Sequence, residues 1–564
     1  MNINEQSSPS GKMVMNALHR NTIKEEMAVN SFDIIIIGGG ITGAGIALDA
    51  TTRGLKVALV EKNDFASGTS SRSTKLVHGG LRYLEQLELA LVAEVGRERE
   101  VVYKNAPHIV IPEKMLLPII KGGSLGNFTT SMGLMLYDFL AGVKKSEMRE
   151  MLTHQEVLER EPLLESDMLE AGALYYEYKT DDSRLTIEVM KKAVEKGAMV
   201  INYAEVSSFV LDEGKVCGVL VEDNLSGGTF EIKGKYVVNA TGAWVDLLRK
   251  KDNSLKGKKL HLTKGIHIVV SRQKFNLSHA LYFDVGDSRM VFAIPRFNIV
   301  YIGTTDTTYT GNLDEPTIEK SDVEYLIKAI QRISPTTSLT LDDVESAWAG
   351  LRPLIHQEGK SPSELSRKDE IFESASGLLS IAGGKLTGYR LMAKKVVDLV
   401  AKKIQKNENR ELPKCATKQI RLAGAEFEFQ ADSLKLNEYC EMLFDEARQT
   451  GIDFEDFRIL FHRYGVNTRV VTEYAYDHYN QTKDYKLSWL LAETEYLLTH
   501  EMACTLSDVF IRRTGKIHFF IKNIHQELPW VANFMAQKLG WTDAIKASQL
   551  EQMNMLVLKA STWE

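Results

Sequence analysis

The chain has 564 residues, a formal net charge of −6 and 44% hydrophobic residues. That length exceeds what one hydrophobic core supports and predicts two or three domains, and the acidic balance leaves no global basic field for nucleic acid. Four scattered cysteines, Cys217, Cys415, Cys440 and Cys504, form no C-x-x-C pair, which excludes a disulfide framework and a cysteine-rich metal site and fits a reducing compartment.

Residues 1 to 31 are mixed and polar and read as an extension, with Met13 to Met27 either a loose helix or a frayed tail. They contain no apolar stretch suited to a secretory signal. Ile34 to Ile37 then forms a short apolar run that feeds into Gly38, Gly40 and Gly43, in the spacing G-x-G-x-x-G. Gly45 adds a small position on the helix opened by Ile41 and Thr42, and a second apolar run, Val57 to Val60, ends at Glu61 and Lys62. Strand, glycine turn, helix and strand in this order predict a dinucleotide site. The glycines admit a pyrophosphate against the backbone, the helix start offers it N–H groups, and the acid after the second strand accepts ribose hydroxyls.

Residues 64 to 83 are rich in small and hydroxyl side chains and read as a segment threading past the cofactor. Ser70, Ser71, Lys75 and Leu76 belong to that contact, and His78 lies against the flat ring that Gly79 and Gly80 allow to approach. Glu85 to Lys104 is a helical pattern ended by Pro107, and residues 108 to 120 read as short strands broken by Pro112 and Pro118. The apolar run at 132 to 142 reads as a helix packed in a core rather than laid on lipid. Thr153 with Glu156 predicts a capping box on a helix to Arg160. Residues 173 to 178 are extended, and Asp181 caps a helix from Asp182 to Lys196. Strands follow at Val200 to Val210, where Val206 is a cofactor candidate, at Lys215 to Val221, at Thr229 to Ile232 and at Tyr236 to Asn239. The last runs into Ala240, Gly242 and Trp244, small residues returning to the cofactor.

Residues 259 to 305 are mainly strand and predict a mixed or antiparallel sheet inserted into the cofactor domain. Ser321 with Glu324 predicts a capped helix to Arg332. SAWAGLRPL at 346 to 354 reads as a site loop carrying Gly350 and Arg352, and Arg367 lies on another exposed approach. After a strand at Leu378 to Ile381, GGKLTGYR places Gly384, Lys385, Leu386 and Thr387 at a second glycine-rich junction with a helix. Asn407 to Pro413 is a linker, and the remainder is helical at 432–447, 465–478, 485–500, 528–538 and 541–557. No run of about eighteen apolar residues predicts a membrane-spanning helix. The two later glycine-rich returns favour an enclosed FAD over NAD.

These motifs resemble the FAD-dependent glycerol-3-phosphate dehydrogenases of the aerobic, respiratory type, within the dehydrogenase/oxidase family. The likeness rests on IIGGGITGAGIALDATTRG at 36–54, SSRSTKLVHGGLRYLE at 70–85, NATGAW at 239–244, KGIHIVV at 264–270 and IGTTD at 302–306. It extends through AGLRPL at 349–354 and GGKLTGYR at 383–390 to TLSDVFIRRT at 505–514, and leaves the first thirty residues outside.

The resemblance implies an α/β plus all-α chain: a Rossmann-like FAD domain of glutathione-reductase or amine-oxidase type, with an inserted substrate sheet and a C-terminal helical domain. The expected division is an extension at 1–31, then FAD-binding parts at about 32–110, 173–245 and 345–406. Substrate parts fall at about 111–172 and 246–344, the linker at 407–413 and helices at 414–564. It implies oxidation of sn-glycerol 3-phosphate to dihydroxyacetone phosphate, with electrons passed to menaquinone or ubiquinone; a related oxidase branch uses oxygen and releases hydrogen peroxide. It also implies a cytoplasmic protein held peripherally on the inner face of the cytoplasmic membrane, and admits a homodimer. Arg82, Arg352 and Arg367 are the substrate-side arginines and His267 the best proton acceptor, with His78 its rival. Lys385 and Tyr83 are further substrate contacts. The Arg512–Arg513 pair reads as a helix-surface or interdomain feature rather than an anion site.

Overall fold

The structure, a computed structural model, describes residues 14–78, 89–123, 130, 132–136, 147–287, 289–356 and 369–563. The organising strand is Ser31–Ile37, six of whose seven side chains are buried. It lies between Val57–Val60 and Thr229–Asn239, parallel to both. Met199–Ile201 extends the sheet beyond Val57–Val60, and Leu379–Ala382 pairs parallel with Thr229–Asn239 on the other side. The helix Ile41–Thr52 packs on this sheet, and the helix Tyr389–Glu408 packs on it in turn. Gly45 makes that approach possible: a Cβ there would stand 2.9 Å from the ring of Tyr389.

The second sheet is mostly antiparallel and has ten strands among the described residues. Its centre is Leu260–Ser271, paired along its length with Val344–Ile355 and also with Ile299–Gly303. One register row crosses five strands: Trp348, His267, Gly303, Phe292 and Tyr282 are successive partners. Because side chains directly opposite share a face, the sheet lines these residues up.

Several expectations change. Residues 346–354 are the middle of the strand Val344–Ile355, not a loop; antiparallel pairing satisfies the backbone despite Gly350 and Pro353. That strand and Leu169–Lys179 belong to the second sheet, so 345–355 and 173–179 do not lie with the cofactor sheet as expected. Pro112 and Pro118 do not break Ile111–Ile120, because its second neighbour pairs only at Met115 and Leu116 and the missing N–H groups interrupt no ladder there. Residues 229–239 form one strand, whose first part pairs with Lys215–Asp223 and whose later part pairs with Leu379–Ala382. Conversely, 199–212 is two strands, separated at Tyr203, where φ is +55°. The capping box of the helix Lys320–Ile333 is Glu319 with Asp322, two residues earlier than Ser321 with Glu324. Thr153 and Glu156 form theirs as expected. In the described part of 132–142, Leu134 is buried in a hydrophobic cluster with Met115 and Leu117 while Met132, Met135 and Leu136 are exposed, so only one face of this turn of helix packs in a core.

The N-terminal helix Arg20–Val29 is anchored rather than frayed: buried Arg20 pairs with Asp223 at 3.0 Å and donates to Asn202 O. After residue 430 the chain is helical, including Phe454–Tyr464, which the sequence pattern missed, and Ile521–Leu539, which carries Pro529 inside it. These helices share a hydrophobic core with the cofactor sheet; Leu497 and Phe510 fall in the same cluster as Ile34 and Val396. Among the described residues no helix is long and apolar enough to cross a membrane.

Candidate active site

The turn after Ser31–Ile37 is built for close approach. Gly38 has φ +110°, and a Cβ on it would stand 2.7 Å from Ala240 O. A Cβ on Gly43 would stand 1.9 Å from Gly38 O, so the helix can begin this close to the strand only with glycine there. Gly43 therefore shapes the turn and does not itself line the cavity beside it. Ser70 Oγ accepts from the Ile41 N–H at 3.0 Å and ties the following segment to the helix start. Glu61 accepts from the Gly39 N–H at 2.6 Å and the Asn63 N–H at 3.0 Å, which fixes its carboxylate at the rim of the turn. Burial raises its pKa and the two amides oppose that shift.

One continuous cavity joins this turn to the second sheet. Around the turn it is lined by Gly38, Gly40, Ile41, Thr42, Glu61, Lys62 and Ser70, and by Val206, Ala240, Gly242 and Trp244. Lys62 sits 4.7 Å above the Trp244 ring. Further along, Leu76, His78, Gly350, Gly384, Leu386 and Thr387 line it, together with His267, Arg352 and Lys385. Thr387 Oγ1 donates to His78 O at 3.1 Å and so joins the two glycine-rich segments.

Two expected cofactor contacts turn elsewhere. The Lys75 side chain is buried against Asp182, Nζ to Oδ1 2.5 Å, and also donates to Ser71 O. Ser71 is itself buried, its hydroxyl donating to Gly68 O. Both side chains support the loop from behind, because a lysine packed inside the protein needs a carboxylate partner. Gly79, Gly80, Arg82, Tyr83 and Arg367 lie outside the described residues.

His267 is almost fully buried yet borders the cavity. Its Nε2 lies 3.0 Å from Thr74 Oγ1, and its ring stacks on Trp348 with centroids 4.8 Å apart and planes at 11°. Gly303 opposite has room for the ring only because it lacks a Cβ. Burial, then the positive charges of Arg352 and Lys75, hold the imidazole pKa well below its usual value, so it is neutral at physiological pH. Arg352 crosses above Gly265, where a Cβ would meet its guanidinium at 2.4 Å. Its Nη2 donates to Thr304 Oγ1 at 2.8 Å, and its Nη1 donates to Thr305 O at 3.1 Å and reaches Asp306 at 3.3 Å. A fixed guanidinium can hold an anionic alcohol while the neutral imidazole beside it receives the hydroxyl proton.

Sequence reading missed Thr74, Thr304, Asp306 and Arg289, which also line the cavity. Thr74 and the Thr304–Asp306 run lay inside motifs already noticed, but nothing in spacing brings Thr74 to His267, 193 positions away. Arg72 borders the cavity too; burial and the nearby Arg512 lower its pKa to about 10. Of the two expected readings of the Arg512–Arg513 pair, helix surface or interdomain, the interdomain one holds: both guanidinium groups lie on Asp64.

A family model described as FAD dependent oxidoreductase matches residues 33–390, and one described as the C-terminal domain of alpha-glycerophosphate oxidase matches 415–546. The chain is 48% identical over 546 residues to an aerobic glycerol-3-phosphate dehydrogenase of Bacillus subtilis, covering 96% of this chain and 97% of that one. It is 49% identical to the protein of the same name from Staphylococcus saprophyticus, covering 98% of each. A solved glycerol-3-phosphate dehydrogenase from Bacillus halodurans, complexed with FAD, superposes with a TM-score of 0.84 at 42% identity, covering 97% of this chain and 99% of that one. The chain belongs to the FAD-dependent oxidoreductase family, in the group of glycerol-3-phosphate dehydrogenases and oxidases, and its cofactor is FAD. The glycine cradle and the long cavity running from Glu61 to Lys385 fit that cofactor.

Proposed function

We propose that the chain oxidises sn-glycerol 3-phosphate to dihydroxyacetone phosphate and passes the electrons to a respiratory quinone, menaquinone or ubiquinone. The observation that carries the reading is the meeting, in one cavity, of the glycine cradle, neutral His267 and anchored Arg352. Bound FAD supplies the two-electron hydride acceptor. The protein supplies the rest: His267 receives the carbinol proton, which a neutral imidazole can do and an imidazolium cannot. Arg352 binds the phosphate or steadies negative charge on the carbinol oxygen. Lys385 adds positive charge to the cavity wall; Arg82 and Arg367 are further phosphate ligands in this reading, and Tyr83 a hydrogen-bond partner of the substrate.

The acceptor assignment follows the dehydrogenase names of the relatives. The competing reading, an oxidase delivering electrons to oxygen, is favoured by the oxidase name of the matching C-terminal model. A lipid-soluble acceptor calls for a protein in the cytoplasm resting on the inner face of the membrane. The exposed Met132, Met135 and Leu136, at spacings that place them on one helical face, support a peripheral contact of that kind. Steady-state assays with a quinone analogue under nitrogen and with oxygen alone test the acceptor. Fast quinone reduction with little peroxide is expected; peroxide formed at a comparable rate assigns the protein to the oxidase branch.

A further inference from the structure

We infer that Trp348 is a positioning residue for His267, acting on the imidazole directly through its ring face and indirectly through the loop that carries Thr74. The inference rests on the reading of His267 as proton acceptor.

The direct action is geometric. His267 and Trp348 are register partners on adjacent antiparallel strands, and their rings lie nearly parallel at 4.8 Å. The terminal torsion of a histidine is broad and roughly two-fold, so a strand backbone does not by itself choose the plane of the imidazole. The indole face chooses it from one side and the bare backbone of Gly303 leaves room for it on the other.

The indirect action runs through one hydrogen bond. Trp348 Nε1 donates to Ser73 O at 3.2 Å, and the next residue, Thr74, places its hydroxyl 3.0 Å from His267 Nε2. Nδ1 is buried without a partner, and Nε2 faces the hydroxyl of Thr74, a residue that lines the cavity. A threonine hydroxyl both donates and accepts. Nε2 has one lone pair, so the substrate's hydroxyl proton reaches it by way of Thr74, which gives its own proton to Nε2 as it accepts the substrate's and stays bonded to the ring before and after transfer. Trp348 is itself clamped from the helical domain: the His518 ring lies 4.8 Å from it, and Ser346 Oγ donates to His518 O at 2.9 Å. Lys75 Nζ sits 5.7 Å over the indole and is held in place by Asp182. The indole is thus the joint between a buried ion pair, the helical domain and the base.

A general base must lie within hydrogen-bond reach of the proton it takes, and a misplacement of about 1 Å costs on the order of a hundredfold in rate. The experiment measures the rate constant of anaerobic flavin reduction by glycerol 3-phosphate, and its substrate dependence, in FAD-loaded Trp348→Leu, Trp348→Phe, Thr74→Val and Thr74→Ser proteins. The same changes are then made in a His267→Gln background. Trp348→Leu and Thr74→Val are expected to slow reduction at least about tenfold with substrate affinity within about twofold, while Trp348→Phe and Thr74→Ser recover most of the rate. In the His267→Gln background, Trp348→Leu should cost less than about twofold more, because there is no imidazole left to place. An equal loss in both backgrounds, or a loss confined to substrate affinity or FAD content, overturns the positioning role. A His267→Gln protein that reduces its flavin at the unaltered rate overturns instead the reading of His267 on which the inference rests.

Discussion

Asp64 and Arg513 form a bidentate ion pair inside the protein, Oδ2 to Nη1 2.6 Å and Oδ1 to Nη2 2.9 Å, between the loop after the cofactor-binding strands and the helical domain. Arg512 Nε reaches the same carboxylate at 2.5 Å. Both arginines belong to the π-helix Asp508–Arg513, whose Asp508 also holds Arg512 and accepts from the amides of Cys504 and Thr505. The two guanidinium groups hold the Asp64 pKa down against its burial. Breaking one side of such a pair leaves buried charge uncompensated. Asp64→Ala is therefore expected to cost about 3–5 kcal/mol, seen as a lowered thermal midpoint. A midpoint unchanged within error would show that the pair does not join the domains energetically.

Gly43→Ala tests the cradle. The new methyl would collide with Gly38 O, which is backbone and has no side-chain freedom to yield. The expected protein is colourless as purified and binds added FAD at least about a hundredfold more weakly, read by quenching of flavin fluorescence. Gly54→Ala is a useful contrast: its added methyl meets nothing within 4 Å, though φ is +80° there, so it should cost some stability and leave FAD binding intact.

Five histidines, of which His108, His267 and His518 are buried and His462 and His500 half-buried, act on the acid side of stability. Burial is the leading cause in each: it holds His108, His267 and His518 well below the ordinary value and brings His462 and His500 to about 4. Through these groups the unfolded chain binds more protons than the native protein from about pH 6.5 downward, so their contribution to stability falls as pH falls through that window, while Glu188, raised by burial to about 7, works in the opposite direction. The slope from each group is up to about 1.4 kcal/mol per pH unit. Thermal midpoints measured from pH 7.5 to pH 5 should drop steadily below about pH 6.5; a flat profile would contradict neutral burial. The same shift predicts no acid limb near pH 6.5 in the pH dependence of kcat/KM that is due to His267.

Arg352→Lys keeps the charge and loses the fork. The guanidinium is held by Thr304, Thr305 and Asp306 at once, a set of acceptors that one ammonium cannot reproduce. A loss of about 10- to 100-fold in kcat/KM for glycerol 3-phosphate is expected, from the roughly 1.5–3 kcal/mol of a charge-assisted hydrogen bond. A change smaller than about threefold would remove Arg352 from the site.

Much of the cofactor half was legible because its signals are local. Gly38, Gly40, Glu61 and Ser70 lie within one strand–turn–helix–strand unit and its continuation, and backbone sterics alone fix what that spacing does. The later returns at Ala240 to Trp244 and at Gly384 to Thr387 were visible as strand-to-helix junctions of the same kind. The chemistry was not legible in that way. His267, Thr74 and Arg352 come from separate stretches, and it is strand register that sets His267 beside Trp348 and Gly303. Arg352 looked like a loop residue because glycine and proline flank it, yet pairing along Leu260–Ser271 keeps the strand intact. Lys75 looked like a cofactor ligand because of its neighbours, and only burial beside Asp182 reveals its partner.

The central claim is that this FAD enzyme oxidises glycerol 3-phosphate, and anaerobic mixing tests it most directly. Purified yellow protein is mixed with sn-glycerol 3-phosphate without oxygen or quinone, and flavin absorbance is followed while dihydroxyacetone phosphate is assayed. The account predicts rapid bleaching, with one product formed per flavin reduced, and none with glycerol lacking the phosphate at the same concentration. Protein that stays yellow with sn-glycerol 3-phosphate, or bleaches equally with glycerol, would contradict it.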